Sequence, residues 1–203
     1  MDRKLILYIA MSLDGYIAKE NDDIGFLSIV NTQGEDFGYS DFLKNIDTII
    51  WGRKTYDKVL SFGIEFPHRD KKVYVLSNSR KDKDEWVEYV SNAKDLIERL
   101  KKEKGKNIYC DGGGDIVFEL LKYSLIDNLV VSIIPHLLGS GKRLFKDGRP
   151  EESLIFQKCT TYPSGLGRSV IKPKDNIGLE NIYYYINFLQ KIKVRSLKYF
   201  NPN

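Results

Sequence analysis

Three segments of the sequence place glycines, hydroxyls and cations directly after a short apolar run. They are Trp51-Gly52-Arg53-Lys54-Thr55, Leu76-Ser77-Asn78-Ser79-Arg80 and Gly112-Gly113-Gly114-Asp115. Glycine lets a ligand approach the backbone closely, while hydroxyl, guanidinium and ammonium groups donate hydrogen bonds to phosphate oxygens. If each run is a strand of an α/β sheet, the loop and the helix N-terminus that follow its carboxyl end add further backbone donors. The residue types therefore predict phosphate binding at three places in the chain.

Each segment also has an interpretation that involves no ligand. Residues 112–114 suit a tight turn with Asp115 as a helix cap, and Arg53 and Lys54 suit a solvated charge pair with Thr55 as the cap. Three consecutive glycines exceed what a cap requires, which favours phosphate contact at that turn. The glycine spacing is not the G-x-G-x-x-G fingerprint, and residues 139–143 do not fit the P-loop.

The segment after Leu76 bears on the choice of dinucleotide. Proteins that bind NAD place an acidic residue where it can bind the ribose diol. Here hydroxyls and a cation, among them Ser77 and Arg80, stand in place of that acid. We therefore expect a 2′-phosphate in the ligand, and hence NADPH as the cofactor.

Strands and helices must position these segments, and the hydrophobic pattern predicts an alternation of both. Strands are predicted at residues 4–11, 48–51, 72–76, 86–90, 107–110, 129–134 and 153–161, and helices at 36–44, 54–60, 93–104 and 116–123. The apolar, β-branched run at 129–134 is typical of a strand that is covered on both faces. This alternation predicts an α/β fold with a largely parallel sheet.

Composition excludes several classes of protein. The chain has 203 residues, of which 42% are hydrophobic and 30% charged, a balance that excludes disorder and coiled coil. Its apolar runs are far shorter than the roughly 20 residues that cross a bilayer. Cys110 and Cys159 form neither a disulfide framework nor a metal-binding spacing, and His68 and His136 lie far apart in the sequence. We therefore expect a cytoplasmic protein that binds no metal and no membrane.

Positive charge is concentrated at the C-terminal end. The net charge is +4, and residues 168–203 contain seven Lys and Arg against two Asp and Glu. The rest of the chain is close to neutral, whereas nucleic-acid binding needs a cluster of cations on the folded body. We therefore expect a small-molecule substrate and no nucleic-acid partner.

The composition changes after residues 163–165, Pro-Ser-Gly. We predict one domain over residues 1–167 and an aromatic, basic tail over 168–203, with a helix at 182–200. Either residues 169–171 form a shortened edge strand, or the sheet edge is completed differently. Because exposed aromatic surface favours association, we expect the tail to pack on its own body or on a second subunit of a homodimer.

Residues 10–18 (AMSLDGYIA) precede the three segments, and residues 135–145 (PHLLGSGKRLF) follow them. In this order the set resembles the dihydrofolate reductase superfamily. It is most similar to the reductase domain of the bifunctional riboflavin-biosynthesis deaminase/reductase and its stand-alone bacterial relatives. The resemblance, over about residues 4–166, implies a dihydrofolate-reductase-like three-layer sandwich with a mostly parallel mixed central sheet flanked by helices. It also implies hydride transfer from NADPH.

The resemblance further implies which residues bind the cofactor. The nicotinamide would be lined by Ala10, Ile17 and Ala18, although Ala10 and Ile17 also suit a core position in any α/β protein. The remaining contacts, to the adenosine side, its phosphates and the pyrophosphate, would come from Gly52, Arg53, Lys54, Thr55, Ser77, Asn78, Gly112, Gly113 and Gly114.

On the substrate side, the resemblance implies a helix carboxylate that supports protonation. Asp36 occupies the matching position, with Glu35 and Asp41 as alternatives. We predict Asp36 and Asp14 as catalytic residues. The predicted substrate-binding residues are Ser12, in the same turn as Asp14, and Ser132, where the family often has a threonine.

Two other carboxylates bear on the cofactor site. Asp111 and Asp115 flank the glycine turn and would repel a pyrophosphate unless they point away from it or cap the helix.

The expected function is NADPH-dependent reduction of a pterin-like, ribosylamino-pyrimidine-like or related heterocyclic or carbonyl compound. The zinc-ligand motifs of the deaminase partner do not occur in this sequence, which favours a stand-alone reductase. The main alternative is a nucleotide-binding or sensor protein that keeps the cofactor site without turnover. A third hypothesis is RNA or acidic-surface binding through the tail.

Overall fold

The computed structural model describes residues 3–174. The strands are β1 (Leu5–Ser12), β2 (Tyr16–Ala18), β3 (Ile46–Gly52), β4 (Lys72–Leu76), β5 (Val87–Val90), β6 (Asn107–Cys110), β7 (Asn128–Ile134), β8 (Lys142–Arg143), β9 (Leu154–Thr161) and β10 (Gly167–Pro173). The α-helices are α1 (Tyr39–Leu43), α2 (Arg53–Leu60), α3 (Ala93–Lys102) and α4 (Gly114–Lys122), and a 3₁₀ helix covers Gly25–Val30.

The larger sheet contains eight strands in the order β5-β4-β3-β6-β1-β7-β10-β9. The six strands from β5 to β7 in this order are parallel, whereas β10 runs antiparallel to both β7 and β9. Parallel strands bring their carboxyl ends to one edge of the sheet. The loops that follow β3, β4 and β6 therefore lie side by side.

Apolar residues of β1 alternate between two cores, because successive side chains of a strand point to opposite faces. Leu5 and Leu7 are fully buried in a core with helices α3 and α4. Ile6 and Tyr8 face a second core, to which α1 and α2 contribute. The sheet thus lies between two helical layers, which confirms the predicted fold class.

A second, two-stranded sheet pairs β2 with β8, with Tyr16 opposite Arg143. The Arg143 guanidinium lies 4.8 Å from the centre of the Tyr16 ring, and the Leu144 amide donates to the Gly15 carbonyl over 3.0 Å. These contacts hold residues 142–144 against the segment that follows β1. The hydrophobic pattern did not predict this sheet, because strands of two and three residues are too short to show a period.

Of the two alternatives predicted for residues 169–171, the structure has the second, a sheet edge that is completed differently. β10 lies inside the sheet, between β7 and β9, so β9 is the edge strand and no shortened edge strand exists at 169–171. The compact unit extends to Pro173, whereas the predicted boundary at 167 falls on the first residue of β10. The sequence gives no clear strand pattern for β10, because this strand contains polar and charged residues and is only half-buried along its whole length. The predicted helix at 182–200 lies outside the described residues.

Within residues 3–174, no helix has both the length and the apolar character that a membrane crossing requires.

Candidate active site

A cavity of about 1170 Å³ opens at the edge of the sheet where β3, β4 and β6 end. Pockets for single small molecules usually have about 300–1,000 Å³, so this cavity has room for an extended ligand or for two molecules. Eleven of the twelve predicted cofactor contacts form part of its wall: Ala10, Ile17, Ala18, Gly52, Arg53, Lys54, Thr55, Ser77, Asn78, Gly113 and Gly114.

The glycine turn after β6 exposes its backbone to the cavity. Gly113 has φ 96°, a left-handed conformation that glycine adopts without strain. A Cβ on Gly114 would lie 2.4 Å from the backbone oxygen of Arg143, and a Cβ on Gly113 would lie 3.5 Å from Thr55 Oγ1. The positive φ of Gly113 and the lack of space at Gly114 both favour glycine, and Gly114 is the first residue of helix α4. The turn therefore offers free N–H groups to an anion.

Gly112 is the one predicted cofactor contact that does not line the cavity. Its φ is 86°, and an added Cβ would lie 2.4 Å from Ile9 Cδ1. The glycine is required because a side chain from β1 packs against the turn. Its role is therefore to let the turn approach β1.

Ser77 holds the loop after β4 in shape. Its side chain is buried at 8% exposure, and its Oγ accepts the backbone N–H groups of Ser79 (3.3 Å) and Arg80 (3.0 Å). Asn78 and Ser79 also line the cavity. The hydroxyls predicted to bind a phosphoester thus lie at the cavity, with one of them already engaged in the turn.

Cations outnumber carboxylates in the cavity wall. Lys142 pairs with Asp22, and Lys146 pairs with Asp115 at the start of α4. The wall contains the six cations Arg53, Lys54, Lys58, Lys142, Arg143 and Lys146, against the four carboxylates Asp22, Asp111, Asp115 and Asp147. In the described part of the chain, Lys54, Lys58 and Arg143 form no ion pair. The wall as a whole attracts an anionic ligand.

Three tyrosines form the wall of the cavity on the side of α1. Tyr8 on β1 and Tyr39 on α1 have ring centroids 5.6 Å apart, and Tyr39 lies 6.2 Å from Tyr109 on β6. Phe42 packs against them, at 4.5 Å from Tyr8 and 5.2 Å from Tyr109. Such a cluster presents aromatic surface to a planar ring.

Asp111 lies beside this aromatic wall. It directly follows β6, lines the cavity, and accepts hydrogen bonds from Trp51 Nε1 at 3.0 Å and from the Tyr109 hydroxyl. Burial raises the pKa of Asp111 to about 6, although both hydrogen bonds favour the ionised form and act in the opposite direction. A carboxyl group with this pKa can be protonated near neutral pH and can supply a proton to a bound molecule.

The two carboxylates that flank the glycine turn both have partners within the protein. Asp111 is directed towards Trp51 and Tyr109, and Asp115 is neutralised by Lys146. The repulsion expected for a pyrophosphate is reduced accordingly.

Asp14, which we predicted to be catalytic, does not line the cavity. Its carboxylate accepts hydrogen bonds from Ser12 Oγ (2.6 Å) and from the backbone N–H groups of Leu138 (3.0 Å) and Gly139 (2.7 Å). These bonds, that of Ser12 foremost, lower the pKa of Asp14 to about 2. The group is therefore ionised at neutral pH, and it joins the turn after β1 to the loop after β7.

Ser12, Ser132 and Asp36 also lie away from the cavity wall. Ser12 is fully buried, and its Oγ accepts the Tyr16 amide over 3.0 Å. Ser132 is buried in β7 opposite Ala10. Asp36 is exposed and accepts the amides of Gly38 and Ser40, both at 2.8 Å, where α1 begins. The structure gives these residues contacts within the fold, with Asp36 just before helix α1, and their catalytic or substrate-binding roles stay predictions.

The sequence did contain a signal for Asp111, since this carboxylate directly follows a strand that leads into the glycine turn. From the sequence alone, Asp111 is interpreted as a charge that would repel a pyrophosphate. Tyr8 and Tyr109 lie on the same face of adjacent strands, but their contact with Tyr39 depends on how α1 packs. Lys142 and Arg143 of β8 belong to residues 135–145, which contribute to the resemblance but for which the sequence predicted no contact with the cofactor.

The mixed sheet between two helical layers, with a cavity at the carboxyl edge, defines a protein of the dihydrofolate-reductase-like class. Dihydrofolate reductase from Enterococcus faecalis, solved in complex with NADP(H) and RAB-propyl, aligns with a TM-score of 0.59. The identity is 15%, over 85% of this chain and 97% of that chain, so this similarity concerns the fold alone.

The chain belongs to the RibD C-terminal domain family, whose sequence profile matches residues 3–167. Uncharacterized protein YwjB of Bacillus subtilis (strain 168) is 42% identical over 156 residues, which cover 76% of this chain and 89% of YwjB. A putative riboflavin biosynthesis protein from Shewanella sp. PV-4 has 32% identity and a TM-score of 0.77, over 86% of this chain and 99% of that chain. Family and neighbours together identify a reductase-type fold.

Proposed function

We propose that the protein is an NADPH-dependent reductase that transfers a hydride to a planar heterocyclic or carbonyl compound of the pterin or aminopyrimidine type. One observation carries this proposal. A backbone turn suited to phosphate, at Gly113 and Gly114, and a carboxyl group of raised pKa, Asp111, open into the same cavity. A dinucleotide bound at the turn would therefore lie close to a source of protons.

The residues present fit a dinucleotide. The turn at Gly113 and Gly114 carries no side chain that would keep a phosphate from the backbone, and the cations of the wall provide opposite charge. Arg53, Lys54 and Thr55 would hold the phosphates of the adenosine side, together with the loop after β4. Ala10, Ile17 and Ala18 would form an apolar surface for the nicotinamide ring. When bound, NADPH supplies the hydride.

The residues of the chain would orient the substrate, exclude water and donate the proton that is needed besides the hydride. Tyr8, Tyr39 and Tyr109 would orient a planar substrate ring and exclude water from it. Asp111, in its protonated form, would give its proton to the ring nitrogen or carbonyl oxygen next to the carbon that accepts the hydride. The substrate then gains two electrons and one proton from the cofactor and one proton from Asp111, which regains its proton from solvent.

Titration of the protein with NADPH and with NADH tests the proposal first. Trp51 reports on the cavity because it is hydrogen-bonded to Asp111. We expect quenching of its fluorescence at low concentrations of NADPH and at much higher concentrations of NADH. Absence of binding by either dinucleotide would contradict the proposal.

A screen of pteridines, aminopyrimidines and their ribosylated forms follows, with loss of reduced-nicotinamide absorbance as the readout. We expect oxidation of NADPH with at least one of them, and a rate that falls when the pH rises above about 6, since Asp111 must carry a proton. Tight NADPH binding without turnover in the whole screen would instead favour a nucleotide-binding or sensor protein with the same fold.

A further inference from the structure

Asp57 on helix α2 joins two arginines that follow different strands. Its Oδ2 accepts a hydrogen bond from Arg53 Nη1 at 2.7 Å, and its Oδ1 accepts one from Arg80 Nη1 at 2.7 Å. Arg53 is the first residue of α2, directly after β3, and Arg80 lies in the loop after β4. One carboxylate therefore connects the two strand ends that carry the cations and hydroxyls of the cavity.

Further contacts fix the position of Arg80. Its backbone N–H donates to Ser77 Oγ at 3.0 Å, and its guanidinium group lies 5.8 Å from the centre of the Tyr89 ring on β5. The Tyr89 hydroxyl in turn donates to Asp84 over 2.6 Å. The loop after β4 is thus held to α2 at one point and to β5 at another.

The guanidinium groups of Arg53 and Arg80 keep N–H donors that Asp57 does not use. A guanidinium group has five N–H donors in a fixed fork. Asp57 accepts only one hydrogen bond from each arginine, and one carboxylate against two guanidinium groups leaves a net positive charge. Arg53 and Ser79 line the cavity, whereas Asp57 and Arg80 do not, and the Asp57 side chain is about one third exposed. Asp57 therefore acts on a ligand only through the groups that it holds.

We propose that Asp57 is a positioning residue that sets the preference for NADPH over NADH, by holding Arg53 in the cavity wall and Arg80 beside Ser79, where the two guanidinium groups would bind the 2′-phosphate. This inference rests on the proposed function, because it requires a dinucleotide in the cavity. The 2′-phosphate is the only difference between the two cofactors. An effect of Asp57 on that group therefore changes the affinity for NADPH and leaves that for NADH unchanged.

The variant Asp57→Asn keeps the size of the side chain and removes its charge. A charge that acted only at a distance would, on removal, strengthen the binding of NADPH. Loss of positioning has the opposite effect, and we expect the Kd of NADPH to rise about tenfold while that of NADH changes less than about twofold. The readout is tryptophan fluorescence in both titrations, and no turnover is needed.

Glu98→Gln is the matched control, since Glu98 pairs with Lys94 four residues away on α3, on the other side of the sheet. This variant should bind both cofactors like the wild type. Adenosine 2′,5′-bisphosphate and AMP serve as probes of the adenosine side alone. Asp57→Asn should weaken binding of the bisphosphate and leave binding of AMP unchanged.

The outcomes separate the two proposals. If the wild type binds neither dinucleotide, the proposed function fails. If it prefers NADPH and Asp57→Asn keeps or increases that preference, the role of Asp57 is overturned. Should Asp57→Asn unfold below the assay temperature, Arg80→Gln tests the same arrangement from the other partner, and an unchanged preference there would equally overturn it.

Discussion

The indole nitrogen of Trp51 donates a hydrogen bond to Asp111 Oδ2 over 3.0 Å, and so joins a buried aromatic side chain to a carboxyl group in the cavity wall. Trp51 has only 1% exposure and lies on β3, whereas Asp111 follows the neighbouring strand β6. The bond holds the carboxyl group in place without placing a second charge beside it. Burial therefore remains the main cause of the raised pKa of Asp111.

Asp111→Asn should change how stability depends on pH. The pKa of Asp111 is raised in the folded state to about 6, above its usual value of 3.8, so the group stabilises the fold most below 3.8 and loses this effect as the pH rises through 6. We expect the difference in Tm between Asp111→Asn and the wild type to shift in favour of the variant between about pH 4 and pH 7.

Fluorescence of Trp51 reports the titration of Asp111 directly, because the two side chains are hydrogen-bonded. In the wild type it should change with a midpoint near pH 6, and Asp111→Asn should abolish the change. A midpoint that survives in the variant would assign the titration to another group.

Gly114→Ala should destabilise the fold and weaken nucleotide binding together. The added Cβ would lie 2.4 Å from the backbone oxygen of Arg143, which cannot move as a flexible side chain does. Overpacking of this kind costs about 1–3 kcal/mol. Thermal unfolding and NADPH titration measure the two effects.

Gly167→Ala is the control for this change, because Gly167 has no heavy atom within 4 Å of an added Cβ. The Tm of this variant and its affinity for NADPH should equal those of the wild type. Equal effects of the two substitutions would show that close packing at the glycine turn is not the cause.

Asp14→Ala should lower the Tm at neutral pH, because the carboxylate joins two loops through bonds to Ser12, Leu138 and Gly139. The pKa of Asp14 is depressed from 3.8 to about 2, so its stabilising effect is present above 3.8 and is lost as the pH falls towards 2. The difference in Tm from the wild type should therefore shrink when the pH is lowered from about 5 to about 3. A difference that stays constant over this range would show that the charge of Asp14 is not involved.

Arg3→Ala should destabilise the fold without affecting the cavity. The Arg3 side chain is buried and donates to the Lys106 carbonyl at 2.7 Å, to Thr48 Oγ1 at 2.7 Å and to Asp47. Removal of one partner from such a cluster costs about 3 kcal/mol. Urea unfolding measures the loss, and Lys4→Ala, at an exposed position next to it, should have no effect of this size.

Patterns of single strands and helices predicted most of the sheet, because burial on one or both faces leaves a period in the sequence. The run at 129–134 became β7, and the segment at 93–104 became α3, with Asn92 as its cap through a 3.1 Å bond from the Asp95 amide. The order of the strands was not predicted, and neither was the place of β10. Pairing depends on contacts between distant segments that no local pattern records.

In the candidate site, too, local features were predictable and features that depend on the assembled fold were not. Backbone-exposing turns and cations after strands were predictable, because phosphate binding uses local features such as the glycines at 113 and 114. The raised pKa of Asp111, the proposed acid, was not predictable, since it depends on burial beside Trp51 and Tyr109. The catalytic roles of Asp36 and Asp14 follow from the resemblance and stay predictions. Burial of a carboxyl group is a property of the assembled fold.

β6, a central strand of the sheet, ends at Cys110, and the next four residues include both the proposed acid, Asp111, and the turn proposed to bind phosphate. An insertion or deletion between Asp111 and Gly114 would displace the proton donor from the phosphate contact by the length of a residue. The spacing between the two is thus set by covalent geometry instead of by packing. Variation in chain length would therefore have to occur in other loops, which leave this spacing unchanged.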